Sequence, residues 1–166
     1  MFRFCFYLFC LFAMPLAGPA RALDAPQGAP ILIVDGLIAE TNDRDRALFD
    51  RAMLEALDWQ EIETYTEFSP GVQRLAGPSL ASLLDQLGVR QGTLRAVALD
   101  DYMIRIPVSD VAEFGIILAI ERDGMPMRIR NRGPIWIVYP APTREDVNEL
   151  HSSRMIWQLH RLTVEP

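Results

Sequence analysis

Turn signals divide most of the chain into short apolar segments, and this pattern limits the folds it can adopt. The segment 135–139 is β-branched and aromatic, and Gly133-Pro134 and Pro140 bound it, as is typical of a short buried strand. Comparable segments recur and predict about seven or eight strands, whereas apolar residues at helical spacing predict two substantial helices. Because the strands and helices do not alternate strictly, the pattern favours an α+β domain over a doubly wound sheet.

The two predicted helices differ in how clearly the sequence bounds them. The first covers residues 43–58, where apolar residues follow the helical period. The second begins after Ser79, a typical N-cap, and ends at Gly88. Asp123-Gly124 is a typical hairpin turn. The other predicted strands cover residues 31–34, 62–66, 94–99, 102–107, 116–122 and 156–159.

Residues 1–22 have the composition of a secretory signal peptide. Arg3 is followed by the uncharged, apolar residues 4–14, and Ala20-Arg21-Ala22 resembles a cleavage site. The alternative is an uncleaved N-terminal anchor. Both cysteines of the chain lie in this segment. We therefore expect an exported domain of residues 23–166 without disulfides or thiolate ligands.

The predicted mature chain is acidic. All 22 aspartates and glutamates lie beyond Ala22, as do 14 of the 16 basic residues, which gives a formal charge of −8. All the basic residues are arginines, which alone points to no site. An acidic domain is a poor partner for nucleic acid or for an anionic membrane surface.

Three arginines at every second position precede the strand 135–139. In an extended backbone Arg128, Arg130 and Arg132 lie on one face. Such a face suits a small anionic or carbonyl-rich ligand. The alternative is a solvated edge strand, whose charges discourage pairing with other chains.

Carboxylates and aromatic residues mark further candidate positions. Asp100-Asp101 follows a predicted strand, where functional side chains often lie, although it can equally form a β-turn. Glu67 lies at the end of another strand, where it can accept two parallel hydrogen bonds from an amino-amide ring edge. Trp157 can stack on a ligand or belong to the core. His151 and His160 lack ligand spacing, so the sequence predicts no metal site from them.

Four segments together resemble the oxidoreductase molybdopterin-binding domain, which has the sulfite oxidase fold. Each motif is weak alone, but their order and spacing are specific. The segments are residues 77–84, residues 98–108, the hairpin 116–127, and residues 133–140 with 153–159. The resemblance implies a single α+β, mixed-sheet domain of the sulfite-oxidase molybdopterin-binding type.

One departure from this family bears on function. Enzymes of the fold ligate molybdenum through a cysteine that precedes the glycine-leucine helix, but residues 63–68 contain none. A threonine hydroxyl is a poor replacement for a thiolate. The chain therefore resembles a narrower group, the small periplasmic pterin-binding proteins of bacteria. These lack the cysteine and act with a membrane-bound signalling protein that makes or degrades cyclic di-GMP.

This narrower resemblance implies a non-catalytic, periplasmic protein that binds a reduced pterin non-covalently, and the molybdenum cofactor is not expected. Glu67 or Asp101 would pair with the amino-amide edge of the pterin, and Arg132 or Arg154 would face its carbonyl. The other residues implied at the ligand are Thr66 in the lost metal-ligand position, Tyr102 or Trp157 as stacking ring, Asp100 and Ser153.

Two further hypotheses are open. In one, the chain is a molybdopterin-dependent oxidoreductase that holds its metal without a cysteine. In the other, the pocket that holds molybdopterin in the family serves only as a surface that binds another protein. Metal content distinguishes the oxidoreductase from the other two, and bound pterin distinguishes the sensor from the protein-binding domain.

Overall fold

A computed structural model describes residues 23–166. The predicted signal peptide lies outside the described residues. The strands are β1 Leu32–Gly36, β2 Ala47–Phe49, β3 Trp59–Thr66, β4 Ser69–Pro78, β5 Thr93–Ala98, β6 Met103–Pro107, β7 Ile117–Ala119, β8 Glu121–Arg122, β9 Met125–Pro126, β10 Trp136–Val138 and β11 Leu159–Glu165. The α-helices are α1 Arg51–Glu55, α2 Leu80–Gln86, α3 Val108–Phe114 and α4 Glu149–Ser153, and the 3₁₀ helices are Ile129–Asn131 and Arg144–Asp146.

The largest sheet has five strands in the order β2-β1-β11-β5-β6. It is mixed, because β1 pairs in parallel with β11 while the other neighbours are antiparallel. Gly36 ends β1 with a φ of 87°, and an added Cβ would lie 2.2 Å from the Val164 carbonyl oxygen. A side chain at this position would therefore disrupt the pairing of the first and last strands.

Two smaller sheets complete the fold, one in the order β3-β4-β8-β9 and one formed by β10 and β7. They lie in close contact, since a Cβ on Gly77 of β4 would come within 1.9 Å of the Leu118 carbonyl oxygen in β7. The isolated bridge between Ile137 and Ile156 joins β10 to the segment that precedes β11. Residues 133–159 thus connect the small sheets to the five-stranded sheet.

The hydrophobic core follows from the burial pattern of these elements. Every residue of β7 and β10 is buried, as expected of strands covered on both faces. On α2, Leu80, Leu83 and Leu84 are buried at helical spacing, and Ser79 accepts a hydrogen bond from the Ser82 amide at 3.2 Å. This confirms the predicted helix and its cap. Among residues 23–166, no helix has the length and apolar content needed to cross a membrane.

The predicted helix over residues 43–58 is wrong over most of its length. Ala47 and Phe49 are buried on β2, where they pair with β1, and the helix is only Arg51–Glu55. Asp50 starts this helix by accepting a hydrogen bond from the Met53 amide at 2.9 Å. Apolar residues that fit a helical period here also fit a short strand followed by one helical turn.

The extended arginine face is also wrong. Residues 129–131 form a 3₁₀ helix, and Arg132 is left-handed with a φ of 70°. The three arginines therefore do not share a strand face. The last strand begins at Leu159 rather than at residue 156, because Gln158 adopts a φ of 55° and interrupts the extended backbone. In contrast, Asp123-Gly124 connects β8 to β9 as predicted.

Candidate functional site

A cavity of about 400 Å³ lies where three distant parts of the chain meet. They are the turn between β3 and β4, the turn between β5 and β6, and the segment from the end of α4 towards β11. We call it the aromatic cavity. It is lined by Glu67, Phe68, Ala98, Asp100, Tyr102, Ser152, Ser153, Met155, Ile156 and Trp157.

The β5–β6 turn places one carboxylate and one aromatic ring in this lining. Asp100 Oδ1 accepts a hydrogen bond from the Tyr102 amide at 3.2 Å, and the Ala98 amide donates to the Tyr102 carbonyl at 2.9 Å. Asp101 lies between them with a φ of 66°. Asp100 and Tyr102 line the cavity, whereas the exposed Asp101 does not. The turn therefore places one of two neighbouring carboxylates in the cavity lining and the other outside it.

Trp157 and Phe68 form an aromatic wall. Their ring centroids lie 5.2 Å apart with an interplanar angle of 82°, an edge-to-face contact. Trp157 keeps 37% of its surface exposed. The indole of Trp157 is thus held by its contact with Phe68 and is still accessible to a ligand.

Arg132 contacts both residues of this wall. It donates hydrogen bonds to Ser69 Oγ at 2.7 Å and to the Phe68 carbonyl at 2.6 Å, and its Cζ lies 5.3 Å from the Trp157 ring centroid. Burial, and then the nearby Arg122, lower the pKa of the Arg132 guanidinium from its ordinary value. Arg132 is not part of the cavity lining, so its contacts position the wall rather than reach the cavity.

Arg154 is likewise held outside the aromatic cavity. Its Nη1 lies 2.5 Å from Asp110 Oδ2, and the Tyr139 hydroxyl donates to the same oxygen at 2.7 Å. Burial, together with the hydrogen bond to Asp110, raises the pKa of the Tyr139 phenol well above its ordinary value, so this hydroxyl stays protonated. The ion pair fixes the residue that directly follows α4, and Ser152 and Ser153 at the end of α4 line the cavity.

Thr66 is buried at the end of β3, with 4% of its surface exposed. Its hydroxyl has no hydrogen-bond partner within residues 23–166, whereas the Thr64 hydroxyl accepts from the Ala141 amide at 2.8 Å. A buried hydroxyl without a partner costs about 1–3 kcal/mol. Thr66 is not among the residues that line the aromatic cavity.

Three of the five non-glycine residues with left-handed backbone among residues 23–166 lie beside segments of the aromatic cavity, and they are Asp101, Arg132 and Gln158. The Gln158 amide donates to the Arg132 carbonyl at 3.1 Å, and the Leu99 amide donates to the Gln158 carbonyl at 3.0 Å. Such conformations cost about 1–3 kcal/mol each and cluster at functional sites.

The structure thus brings together five of the nine predicted site residues. Those that line the aromatic cavity are Glu67, Asp100, Tyr102, Ser153 and Trp157. Those that do not are Thr66, Asp101, Arg132 and Arg154. The lining residues that sequence reasoning missed are Phe68, Ala98, Ser152, Met155 and Ile156, which are sequence neighbours of predicted ones.

The molybdenum cofactor that the fold type implies does not fit the donor groups found here. The end of β3 offers the Thr66 hydroxyl and the Glu67 carboxylate, both hard oxygen ligands, where a thiolate would be needed. Among residues 23–166, no three histidine, cysteine, aspartate or glutamate side chains are grouped closely enough to hold a metal ion.

The fold and cavity define a class, an α+β domain with a mixed sheet and a cavity of small-molecule size. No protein-family model matches the chain, and no curated protein matches it. Among solved structures, the chain is similar to the sulfane dehydrogenase SoxCD from Paracoccus pantotrophus, with a TM-score of 0.62 and 17% sequence identity. The likeness covers 81% of this chain and 37% of that chain. It confirms the predicted sulfite-oxidase type of fold.

Proposed function

We propose that this chain is a non-catalytic, periplasmic pterin-binding protein that relays the state of its ligand to a membrane-bound signalling protein controlling cyclic di-GMP. The observation that carries the proposal is the composition of the aromatic cavity. Its volume of about 400 Å³ falls within the range of about 300–1,000 Å³ typical of small-molecule sites. Two carboxylates, three aromatic rings and two serines line it.

Three kinds of group in the cavity suit parts of a reduced pterin: an aromatic ring, the carboxylates and a serine hydroxyl. The flat ring stacks against the accessible face of Trp157. The amino-amide edge donates to Glu67 or Asp100, and neither carboxylate forms an ion pair within residues 23–166 that would compete for it. A carboxylate facing two parallel donors forms short, charge-assisted hydrogen bonds. Ser153 is then available for the polar atoms on the remaining edge.

The relay to a partner uses the rim of the cavity. Leu99, Tyr102 and Met103 lie in or beside the β5–β6 turn, and each exposes about half of its surface. Exposed apolar side chains grouped at a ligand site are typical of a protein-interaction surface. Because Tyr102 belongs to both the cavity lining and this rim, a bound ring changes the surface that the partner meets. The partner is the periplasmic domain of the signalling protein.

The adjacent aspartates of the β5–β6 turn provide the test. Asp100→Asn removes the cavity carboxylate but keeps the oxygen that accepts from the Tyr102 amide. Asp101→Asn makes the same change one residue away, outside the lining, and asparagine tolerates its left-handed backbone. Affinity for tetrahydrobiopterin is measured by calorimetric titration under anaerobic conditions. It should be reduced about tenfold or more in Asp100→Asn and unchanged in Asp101→Asn. Equal affinities in both variants and the parent protein would remove Asp100 from the site.

The alternative function is that of a molybdopterin-dependent oxidoreductase with a non-cysteine metal site. It requires molybdenum to copurify with the chain. Elemental analysis of the anaerobically purified protein distinguishes the two functions, because the pterin-binding protein contains no stoichiometric molybdenum.

A further inference from the structure

Arginines without ion pairs are concentrated in one part of the molecule. Among residues 23–166, eight of the fourteen arginines form ion pairs with carboxylates. Four of the other six lie between residues 122 and 132, and they are Arg122, Arg128, Arg130 and Arg132. Residues 23–166 carry a formal charge of −8, so a cluster of arginines without carboxylate partners in this acidic domain indicates a site for an external anion.

Three of these arginines border a second cavity of about 540 Å³, which we call the arginine cavity. The hairpin β8–β9 forms one side, and the segment through the 3₁₀ helix Ile129–Asn131 forms the other. Asp123 is the single carboxylate in the lining. The lining residues are Arg122, Asp123, Met125, Pro126, Met127, Arg128, Arg130 and Asn131.

Arg122 carries the donor pair that an oxyanion requires. Its Nε and Nη2 are sheltered from solvent and have no hydrogen-bond partner within residues 23–166. These two N–H groups lie side by side on one edge of the guanidinium, the edge that binds two oxygens of a carboxylate or phosphate in parallel. The Trp136 indole Nε1, in the ring on which Arg122 packs, also lacks an acceptor.

The surroundings of Arg122 also favour binding of an anion. Its Cζ lies 5.5 Å from the Trp136 ring centroid, and the Arg132 Cζ lies 5.1 Å from the same centroid. Two like charges thus contact one buried ring, and no carboxylate pairs with either of them within the described residues. Sheltering a charge and its donors without a partner is unfavourable, so an oxyanion that supplies acceptors and negative charge would be stabilised here.

We propose that the arginine cavity binds a small oxyanion, a carboxylate or phosphate group, through Arg122 with Arg128 and Arg130. No ion pair holds the Arg122 side chain, so it can turn towards the anion without losing a carboxylate partner. The site goes beyond the pterin proposal and does not depend on it, because the lining of the arginine cavity shares no residue with that of the aromatic cavity.

The test titrates the full chain, without pterin, with inorganic phosphate and separately with succinate at constant ionic strength. Calorimetry measures the affinity. The expected result is saturable binding of at least one anion, weakened about tenfold or more by Arg122→Gln. The anion that binds more tightly identifies the group that the site prefers.

Two more variants keep this test decisive. Arg130→Gln changes an exposed residue of the same lining, so it should weaken binding without affecting the packing on Trp136. Arg144→Gln is the matched control, because Arg144 also lacks an ion pair within residues 23–166 and rests on an aromatic ring, that of Tyr65, but lies outside the cavity. Its affinity should equal that of the parent protein. Absence of saturable binding by both anions, or equal affinities in all three variants, would overturn the proposal.

Discussion

The hydroxyl of Tyr139 should stabilise the protein measurably, because it completes a buried network. It donates to Asp110 Oδ2 at 2.7 Å, and Arg154 Nη1 lies 2.5 Å from the same oxygen. Tyr139 is 1% exposed and Asp110 is 6% exposed. Tyr139→Phe keeps the ring contacts with Phe114 and His151 and removes one hydrogen bond to a charged group. Such bonds contribute about 1.5–3 kcal/mol, so we expect the free energy of unfolding to fall by about 2 kcal/mol.

Urea unfolding at neutral pH, followed by circular dichroism, measures this change. Tyr102→Phe is the matched control, because the Tyr102 hydroxyl is exposed and has no hydrogen-bond partner within residues 23–166. The control should stay within about 0.5 kcal/mol of the parent protein. Asp110→Asn should cost more than Tyr139→Phe, about 3 kcal/mol, because it also removes the counterion of Arg154. A Tyr139→Phe variant as stable as the control would refute the network as a stabilising element.

Three further changes test the contact between β4 and β7, the role of Asp50 at acid pH and the ligand site. Gly77→Ala places a Cβ 1.9 Å from the Leu118 carbonyl oxygen and should cost about 3 kcal/mol in urea unfolding; a cost below about 1 kcal/mol would contradict the close contact of β4 and β7. Backbone hydrogen bonds, of which the one from Gly28 has the largest effect, lower the pKa of Asp50 from its ordinary 3.8. The ionised carboxylate therefore stabilises the fold at a pH above 3.8. This contribution is lost as the pH falls through the lowered folded-state pKa. Asp50→Asn should therefore flatten the acid limb of the stability curve below about pH 4, and an unchanged limb would argue against it. Trp157→Leu should weaken binding of tetrahydrobiopterin about tenfold in the same calorimetric titration, and an unchanged affinity would remove the indole from the ligand site.

The sequence predicts the elements whose burial pattern is unambiguous. The segment around Trp136–Val138 is β-branched and aromatic and is bounded by turn residues, so the sequence alone predicts a strand. In the structure every residue of this strand is buried. The helix after Ser79 is equally clear, because cap and period agree. Residues 43–58 are different, since the same apolar positions satisfy a helix or a strand. Pairing of Ala47 and Phe49 with β1 decides between them, and this pairing is a tertiary contact that local periodicity does not contain.

The sequence predicts some of the cavity lining but not all of it. The predicted residues of the β5–β6 turn and of the segment around Trp157 include several that line the aromatic cavity. The two predicted arginines lie outside the lining, because their side chains pair with residues far away in the sequence. Arg154 contacts Asp110, 44 residues away, and Arg132 donates to the Phe68 carbonyl, 64 residues away. Asp101 also lies outside the lining, although it directly follows Asp100 in the same turn.

Binding of a pterin in the aromatic cavity can be detected in a native mass spectrum of the full chain, purified anaerobically from the cells that make it. We expect a non-covalent adduct with the mass of a pterin, which becomes fluorescent after oxidation and is less abundant in Asp100→Asn than in Asp101→Asn. An adduct with the isotope pattern of molybdenum would contradict pterin binding, as would a protein that carries no adduct and fails to bind added tetrahydrobiopterin.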